Sequence, residues 1–563
     1  MYRTLINFHN RIIRGENPAV FCLIQTDYGY RAYSDKELIK YFELEGHIAD
    51  GSVTAAGSET AGVGLGLIEK SARVLSFGSF ERTIQPKMRD VLGGIEQRQL
   101  QHVSVSLNNE DRHFSKILPK EPFLGKPLYI YAGFEADAFH EYIKLFEGAI
   151  SEVRCGKQAV IEADEKAILE GYFWLNRAGR YTNPLNTNDR LPVVYGDLTD
   201  GSSGNWISPC INTVSFVYCF ADHEVLTVAN GNSINIYADH VLVNPANYTF
   251  SASNNYGGLG TIATITFTTD QGNAQISVRG KGKNTGASLI TNIVDIIYDF
   301  LTVENSYAAT LFDSTAKAMS SAKFTANSYA AAGVIEEDDR IWDIVQRMIG
   351  SFYGTTYING PGLLVLDIDD GTISQYAQAG IIPKTELTLS NEPKQELQNL
   401  INQCPTSYAY NYVSSEFRSH TDDSAHANLV SQGIYGLQEP AWPFQCYWCR
   451  NLANVQAIQD IIVGKFAYPV WLVEISDKTL KRSSVDVGDL VIITIDCLYD
   501  TDGNELTNEL FRVVGVKPNF SRGQIGFRLL DTGYPLTIAY LAEGTYTADG
   551  SIRAGGNRDT TVY

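Results

Sequence analysis

Apolar and polar residues alternate along much of the first 155 residues, and this period of two predicts half-buried β-strands. At 103–107, valine and leucine alternate with serine. A short hydrophobic insertion at 114–118 follows, and a Leu-Gly-Lys-Pro turn at 124–127 precedes a second strand. A third strand is predicted over 142–153, where Gly148 indicates a bulge or a close backbone approach.

Short strands separated by Asn and Gly turns predict an antiparallel β unit over 191–280. Its strands are expected at 214–218, 225–228, 234–237, 262–268 and 276–280.

The stretch of small residues at 52–66 predicts a loop or an extended arm. Its glycines lack the strand–turn–helix context that a dinucleotide-binding site requires.

A helical spacing of apolar residues replaces the strand pattern over 281–384 and predicts a compact α+β unit. Ser288 is expected to cap a helix whose apolar positions span 289–301. A second helix should begin in the acidic run at 336–339, because carboxylates stabilise a helix N-terminus. A β-hairpin with its turn at 359–362 should follow.

The pattern returns to strands over 385–540, and their spacing is typical of a small barrel. The strands are expected at 470–475, 490–495, 510–516 and 524–530, with a hairpin turn at 502–504. The tail at 545–563 is rich in Gly, Ala, Thr and Asp. We expect it to have no core of its own.

Composition agrees with a folded chain of several domains. The chain has 563 residues, of which 44% are apolar and 19% are charged, and this composition is that of globular rather than disordered proteins. The net charge of −20 makes the chain a poor partner for phosphate backbones, because nucleic-acid binding depends on Lys and Arg. The excess of acidic residues serves either plain solubility or a wall that DNA slides past without adhering.

Eight scattered cysteines do not form the framework of a disulfide-rich protein. The N-terminal residues contain no continuous apolar segment of the kind found in secretory signals. No apolar run approaches the roughly 20 residues that span a bilayer. We therefore expect synthesis and assembly in a reducing cytosol, with no membrane-spanning segment.

Cys446 and Cys449 form the only local motif with an evident chemistry. Two thiols at this spacing can bind zinc or an iron–sulfur cluster, or act in redox chemistry. A complete metal site needs four ligands, and Cys404 and Cys497 are the candidates to complete it. The alternative is a set of buried, reduced thiols with no cofactor, which we favour.

Two Asp-rich segments, 367–371 and 500–504, faintly resemble calcium loops but lack the spacing with a late Glu. Both also fit ordinary hairpin turns. The chain has no Gly-x-Ser-x-Gly elbow, and no local motif identifies a pair of facing carboxylates. The nine histidines are isolated. The sequence therefore predicts no catalytic residues and no enzymatic activity.

Three stretches carry a family resemblance. The first is 103–154 with its turn at 124–127. The second begins Leu-Pro-Val-Val-Tyr-Gly at 191–196 and continues through short strands into a helix. The third begins Val-Gly-Asp-Leu-Val at 487–491 and ends in two closing strands. In order and spacing they resemble the tail-hub proteins, also called tail-tip or baseplate-hub proteins, of long-tailed bacteriophages.

The resemblance implies a homotrimer in which each chain supplies two barrels of tail-tube type. Three chains would then present six barrels to the sixfold tail tube or distal tail protein above, and a threefold axis to a tip fibre or spike below. The tape-measure protein would occupy the lumen before DNA passes through it without specific binding. Some phage tail-tip proteins carry an iron–sulfur cluster, which keeps the cysteine alternative open.

The pattern and the resemblance together predict a mainly β, multidomain chain with one α+β unit and two tube-like barrels. The expected segments are an N-terminal arm with a first barrel at 1–190, an antiparallel β insertion at 191–280, a helix–hairpin domain at 281–384, a second barrel at 385–540 and a C-terminal tail at 541–563. The expected location is the virion tail.

Two other functions stay open at this point. A receptor- or carbohydrate-binding tail protein would use the 32 Tyr and six Trp as exposed platforms clustered on one face. A tail-associated hydrolase would need a pocket with converging carboxylates or a Ser/His pair.

Overall fold

The computed structural model confirms a mainly β, multidomain chain with few helices. It describes residues 11, 19–27, 29–35, 67–78, 82–83, 102–134, 142–165, 172–173, 184–185, 191–256, 261–286, 288–336, 339–359, 362–370, 378–395, 400–421, 424–478, 482, 485–495, 498, 509–519 and 524–532. The predicted arm at 52–66, the turn at 502–504, Cys497 and the tail at 545–563 lie outside these residues.

The N-terminal part of the chain is built from strands and one short helix. The strands are β1 (Ala19–Thr26), β2 (Gly29–Ser34), β3 (Leu67–Ala72), β4 (Val74–Phe77), β5 (Arg82–Thr83), β6 (His102–Asn108), β7 (Pro127–Gly133), β8 (Ile143–Cys155), β9 (Gln158–Glu165) and β10 (Tyr172–Phe173). The predicted insertion between β6 and β7 is helix α1 (His113–Ile117), which buries Phe114 in the core.

Eight of these strands form a sheet in the order β3-β2-β1-β7-β8-β9-β6-β4. Its two edge strands, β3 and β4, are separated in sequence only by Arg73. β3 pairs in parallel with β2, and β4 pairs antiparallel with β6. One bent stretch of chain thus joins both edges and closes the sheet into a barrel, which we call barrel 1.

Gly148 lies inside β8 and confirms the predicted close approach. A Cβ at this position would meet the Asp164 carbonyl oxygen and the Phe146 ring within 2.5 Å. The bulge predicted as the alternative lies instead between Ile150 and Glu152.

A second β unit follows. Its strands are β11 (Val193–Tyr195), β12 (Asp197–Leu198), β13 (Trp206–Ile207), β14 (Cys210–Asn212), β15 (Val217–Ala221), β16 (Asn235–Ala238), β17 (Val241–Leu242), β18 (Tyr248–Asn255), β19 (Thr261–Phe267), β20 (Ile276–Lys281), β21 (Asn284–Thr285) and β22 (Ser288–Leu289). All its strand pairs are antiparallel, as predicted. The strand predicted at 225–228 is wrong, because Val225 makes only an isolated bridge and Val228–Asn230 is a 3₁₀ turn.

The middle of the chain contains helices packed on a hairpin. Its elements are α2 (Ile293–Asp299), which continues as a π-helix (Phe300–Glu304), α3 (Ser314–Ala326), β23 (Gly333–Ile335), β24 (Asp339–Arg340), α4 (Ile341–Gly350), β25 (Gly354–Ile358) and β26 (Leu364–Ile368). β25 and β26 form the predicted hairpin. Helix α3 escaped prediction because it buries only Ser320 and Phe324 and so has little apolar periodicity.

Both predicted helix starts in this region are wrong. Ser288 lies in β22, and α2 is capped by Asn292, whose side-chain oxygen accepts a hydrogen bond from Val294 N at 3.0 Å. Helix α4 begins after the acidic run, because Asp339 and Arg340 pair as a strand with β10.

The last part of the chain contains both strands and helices. Its elements are β27 (Gln378–Ile382), β28 (Leu387–Leu389), β29 (Thr406–Asn411), β30 (Glu416–Thr421), α5 (Leu429–Tyr435), β31 (Phe444–Cys446), α6 (Leu452–Phe466), β32 (Leu472–Asp477), β33 (Leu490–Ile493), β34 (Glu509–Asn519) and β35 (Gln524–Asp531). The strand pattern alone did not predict α5 and α6.

Six of these strands form a second closed sheet, in the order β27-β33-β34-β35-β32-β28. Only the segment 383–386 separates the edge strands β27 and β28. β27 pairs in parallel with β33, and β28 pairs antiparallel with β32. A divided strand thus closes this sheet in the same way as the first, and we call it barrel 2.

The two barrels share one hydrophobic core. A continuous cluster of buried side chains joins residues of β1, β6, β7 and β9 to residues of β32–β35. A second cluster joins α2–α4 and the hairpin to β31 and α6, and a third fills the antiparallel β unit. The segment between β28 and β32 therefore packs mainly with the helices rather than inside barrel 2.

Candidate functional site

The most distinctive arrangement in the molecule is the repetition of one barrel within the chain. In barrel 1, Gly125 precedes β7 by two residues in a left-handed conformation, with φ at 74°. Its N–H donates to Ile150 O at 2.8 Å, and Ile150 N–H donates back to Lys126 O at 3.0 Å. The β8–β9 register then shifts between Ile150 and Glu152.

Barrel 2 repeats this turn contact by contact. Gly488 precedes β33 by two residues, with φ at 89°. Its N–H donates to Val513 O at 2.8 Å, and Val513 N–H donates back to Asp489 O at 2.8 Å. The β34–β35 register shifts between Val513 and Gly515. Gly488 and Val513 are thus the counterparts of Gly125 and Ile150.

The strands that follow pair in the same order in both barrels. β8 pairs with β9, which pairs with β6, and β34 pairs with β35, which pairs with β32. Buried apolar residues face one another at equivalent positions: Val103 with Ala163 and Val105 with Ile161 in barrel 1, and Val473 with Leu529 and Ile475 with Phe527 in barrel 2.

A short strand fixes the two barrels side by side. β5 begins five residues after β4 leaves barrel 1, and it pairs with barrel 2, Thr83 opposite Gly515 and Arg82 opposite Val516. Barrel 1 thus supplies a strand to barrel 2. This backbone pairing and the shared core make the two barrels neighbours in a defined orientation.

A cluster of charges anchors barrel 2 to the helices and the hairpin. Arg512 of β34 pairs with Asp367, and its guanidinium lies 3.7 Å from Asp369. Lys465 of α6 approaches Asp369 at 2.8 Å, and Lys323 of α3 lies 3.9 Å from Asp367. Burial alone would lower the pKa of Arg512, but these carboxylates raise it above its ordinary value.

This cluster bears on the calcium alternative at 367–371, of which residues 367–370 are described. Asp367 and Asp369 pair with Arg and Lys side chains, so their charges are already neutralised by the protein itself. They act as links between elements, not as an open set of cation ligands.

A second set of charges joins the antiparallel β unit to the sheet β30-β29-β31. Arg450 makes two hydrogen bonds to the Asp200 carboxylate, at 2.7 and 2.9 Å, and its side chain is only 7% exposed. Arg418 donates to the Gly204 carbonyl at 3.1 Å and to Ser203 Oγ at 3.2 Å. These bidentate contacts hold the two units together.

A buried histidine lies where β11 meets α2. His223 Nε2 accepts from Val194 N–H at 2.9 Å, so its Nδ1 carries the proton and donates to Glu224 O at 2.9 Å. Burial lowers the pKa of His223 to about 4, while nearby Glu304 raises it and Lys283 lowers it. Lys283 binds Glu304 at 2.7 Å. The imidazole is therefore neutral and structural near pH 7.

The candidate cysteines lie mostly in the helical core. Cys446, Cys449 and Cys404 are all buried there as reduced thiols, and Cys449 Sγ lies 3.6 Å from Asn451 O. Burial raises the pKa of both Cys404 and Cys449 to about 12, which disfavours the thiolate form that binds metals. Within the described ranges, no three His, Cys, Asp or Glu side chains gather to hold a metal ion.

Aromatic residues cluster around a cleft next to β23. Tyr410, Tyr412, Tyr447 and Trp448 line it together with Arg347. Tyr412 and Trp448 are buried, so their ring faces are not open platforms. Among the described residues, the exposed aromatic side chains are Trp442 and Tyr468, in two different loops.

Comparisons with known proteins add two neighbours of low similarity. No protein-family model and no curated protein match the sequence. A tail protein from Neisseria meningitidis MC58 aligns over 81% of this chain and 97% of its own, with 9% identity and a TM-score of 0.32. A chain of the virion of a native gene transfer agent particle aligns over 67% and 92%, with 10% identity and a TM-score of 0.36. Both TM-scores lie below 0.5, so function is inferred below from contacts within this chain.

In the part of the chain that the structure describes, no helix is long and apolar enough to cross a membrane.

Proposed function

We propose that this chain is a structural virion protein, a trimeric tail hub that joins the sixfold tail tube to the threefold tip. The observation that carries the proposal is the repeated barrel. Two sheets in one chain share the divided closing strand, the glycine turn with its reciprocal hydrogen bonds and the bulge that follows. The sequence resemblance to phage tail hubs supplies the biological setting for such a repeat.

Symmetry gives this repeat its use. Cyclic oligomers place identical surfaces around one axis, so a trimer of a two-barrel chain presents six similar barrels. The upper face of such a ring would match the sixfold tube or distal tail protein. The lower face, which carries the other domains three times, would match a tip fibre or spike. A trimer of single-barrel chains would present only three barrels to the sixfold tube.

The channel of this ring would hold the tape-measure protein and later conduct DNA during ejection. The chain carries a net charge of −20, and acidic residues along the channel would repel phosphates and let DNA pass without binding. A neutral or basic channel surface in the assembled ring would contradict this part of the proposal. The location that follows is the virion tail, after assembly in the host cytoplasm.

Binding and positioning, rather than catalysis, are the proposed roles of the charged clusters. Asp367 and Asp369 bind Arg512 and Lys465, and Lys283 binds Glu304. Each of these carboxylates is committed to a cation that ties two elements together. We assign no cofactor to the chain.

The mass of the purified chain in solution tests the proposal. Sedimentation equilibrium at low micromolar concentration should give three times the 62.2 kDa of one chain. A monomer under these conditions would count heavily against a hub. A chain that is monomeric but binds host glycans would favour the receptor-binding alternative instead.

A further inference from the structure

We infer that the outer edge of β8, at residues 151–155, binds a strand from a second copy of this chain. The inference rests on the proposed ring-forming function and identifies the edge through which one copy contacts the next. It follows from a difference between the two barrels at equivalent positions.

The equivalence is set by hydrogen bonds that both barrels share. Ile150 and Val513 each exchange two backbone hydrogen bonds with a glycine turn, and each stands just before a bulge. After the bulge, Glu152 pairs with β9, as Gly515 pairs with β35. Glu152 and Val153 of barrel 1 are therefore the counterparts of Gly515 and Val516 of barrel 2.

In barrel 2 the outer edge at this position is occupied. Thr83 and Arg82 of β5 pair with Gly515 and Val516, so this stretch of β34 has a strand on both sides. Gly515 and Val516 are both buried. The occupied edge belongs to the interior of the molecule.

In barrel 1 no described strand occupies the matching edge. β7 pairs with β8 only as far as Ala149, so beyond this point the strand pairs with β9 alone among the described residues. Ser151, Glu152, Arg154 and Cys155 are exposed. An open strand edge exposes unpaired backbone N–H and C=O groups and is a template for pairing with another chain.

The side chains at this edge leave it accessible to pairing. Proline, charged side chains and bulges are the usual means of blocking an edge. The segment 151–155 contains no proline or lysine, and the equivalent bulge of barrel 2 does not prevent β5 from pairing just beyond it. Arg154 pairs instead with Glu152 and Glu162 on its own barrel. These charges neutralise one another and leave no single sign to repel an incoming strand.

A second copy of the chain is the occupant that the repeat favours. One chain has two equivalent edges, but β5 fills only one of them from within. In a closed ring of copies, each barrel would contact one barrel of its own chain and one barrel of the neighbouring chain. The contact between chains would then have to fill the edge of β8, and a head-to-tail contact of this kind closes into a ring when the rotation fits.

Cys155 provides a probe at this edge, because it is the exposed one among the cysteines that the structure describes. The full-length protein should be labelled with a maleimide both in its assembled state and after dilution to the monomer, and the modified peptides should be identified by mass. We expect Cys155 to react at least about tenfold more slowly in the assembly. A control with Cys155→Ser and Asp270→Cys places the thiol in an exposed turn of the β unit and should react equally in both states.

Proline substitutions give a second readout. Adjacent strand residues direct their N–H groups to opposite sides, so one of Glu152→Pro and Val153→Pro removes only the outward donor. That variant should melt like the wild-type monomer and assemble at least about tenfold more weakly. The other variant removes a hydrogen bond to β9 and should melt at a lower temperature.

The outcomes separate this inference from the proposed function. A trimer in which Cys155 reacts as fast as in the monomer, or in which both proline variants assemble normally, overturns the role of the β8 edge and leaves the hub intact. A chain that never assembles overturns the hub itself, and the inference with it.

Discussion

At the scale of single residues, one glycine in each barrel lies in the turn before the strand pair β7–β8 or β33–β34. Gly125 and Gly488 both require a left-handed backbone, which other residues adopt only at a cost. Their surroundings differ. A Cβ on Gly125 would meet open space, whereas a Cβ on Gly488 would collide with the Tyr357 hydroxyl. The turns are equivalent in backbone but not in packing.

This difference predicts unequal effects of the same substitution. Gly125→Ala should lower the free energy of unfolding by about 1–2 kcal/mol, the cost of the left-handed conformation alone. Gly488→Ala should cost clearly more, because the partly buried Tyr357 ring would also have to move. Chemical denaturation of both variants measures this, and equal losses would show that the Tyr357 contact is unimportant.

His223 predicts a dependence of stability on pH. Its pKa falls from 6.5 in the unfolded chain to about 4 in the folded protein, so the folded state binds fewer protons between these values. The stabilisation is fully present above about pH 6.5 and is lost as the pH falls towards 4, by up to about 3 kcal/mol. His223→Gln cannot become charged and should lose less stability over this range. Identical pH profiles of the two proteins would contradict this assignment.

At the scale of elements, the positions of the strands along the chain were more predictable than the strands with which they pair. The period of two identified β6, and the turn at 359–362 identified the β25–β26 hairpin. It could not show that β3 and β4 close one barrel and β27 and β28 the other, because this pairing depends on contacts distant in sequence. Helix α6 was missed although Val455, Ile458 and Ile462 have helical spacing, since the strands around it dominated the interpretation.

The charged links between elements were equally beyond sequence analysis. Asp367 and Arg512 are 145 residues apart, and Asp200 and Arg450 are 250 apart. In the sequence alone, the Asp residues at 367–371 resembled a turn or, faintly, a calcium-binding loop. Only the fold reveals the cations that neutralise them.

The Arg512 link gives a prediction for barrel 2. Arg512→Ala would leave Asp367 and Asp369 with one cation fewer in a largely buried cluster and should cost about 2–3 kcal/mol. Arg528→Ala on the adjacent strand is the matched control, because its pair with Glu474 is 3.8 Å long and 40% exposed on both sides, and it should cost at most about 0.5 kcal/mol. Similar losses of unfolding free energy in the two variants would show that the cluster is not an anchor.

At the scale of the whole molecule, the proposed ring gives a reason for two closed sheets within one chain. The resemblance to phage tail hubs, carried by short motifs such as the Gly-containing turns at 124–127 and 487–491, implied two barrels. The structure adds that these turns make the same backbone hydrogen bonds and that β5 ties the barrels together. A shared core and a shared strand hold the two barrels together as one unit, and in the proposed trimer three such units would form the ring.

Electron cryomicroscopy of the purified oligomer tests this account most directly. We expect a ring of six barrels around a channel, with true threefold symmetry and with barrel 1 and barrel 2 alternating around the axis. An assembly in which only one barrel of each chain contributes to the ring, or one in which the two barrels lie at different heights along the axis, would contradict the central claim.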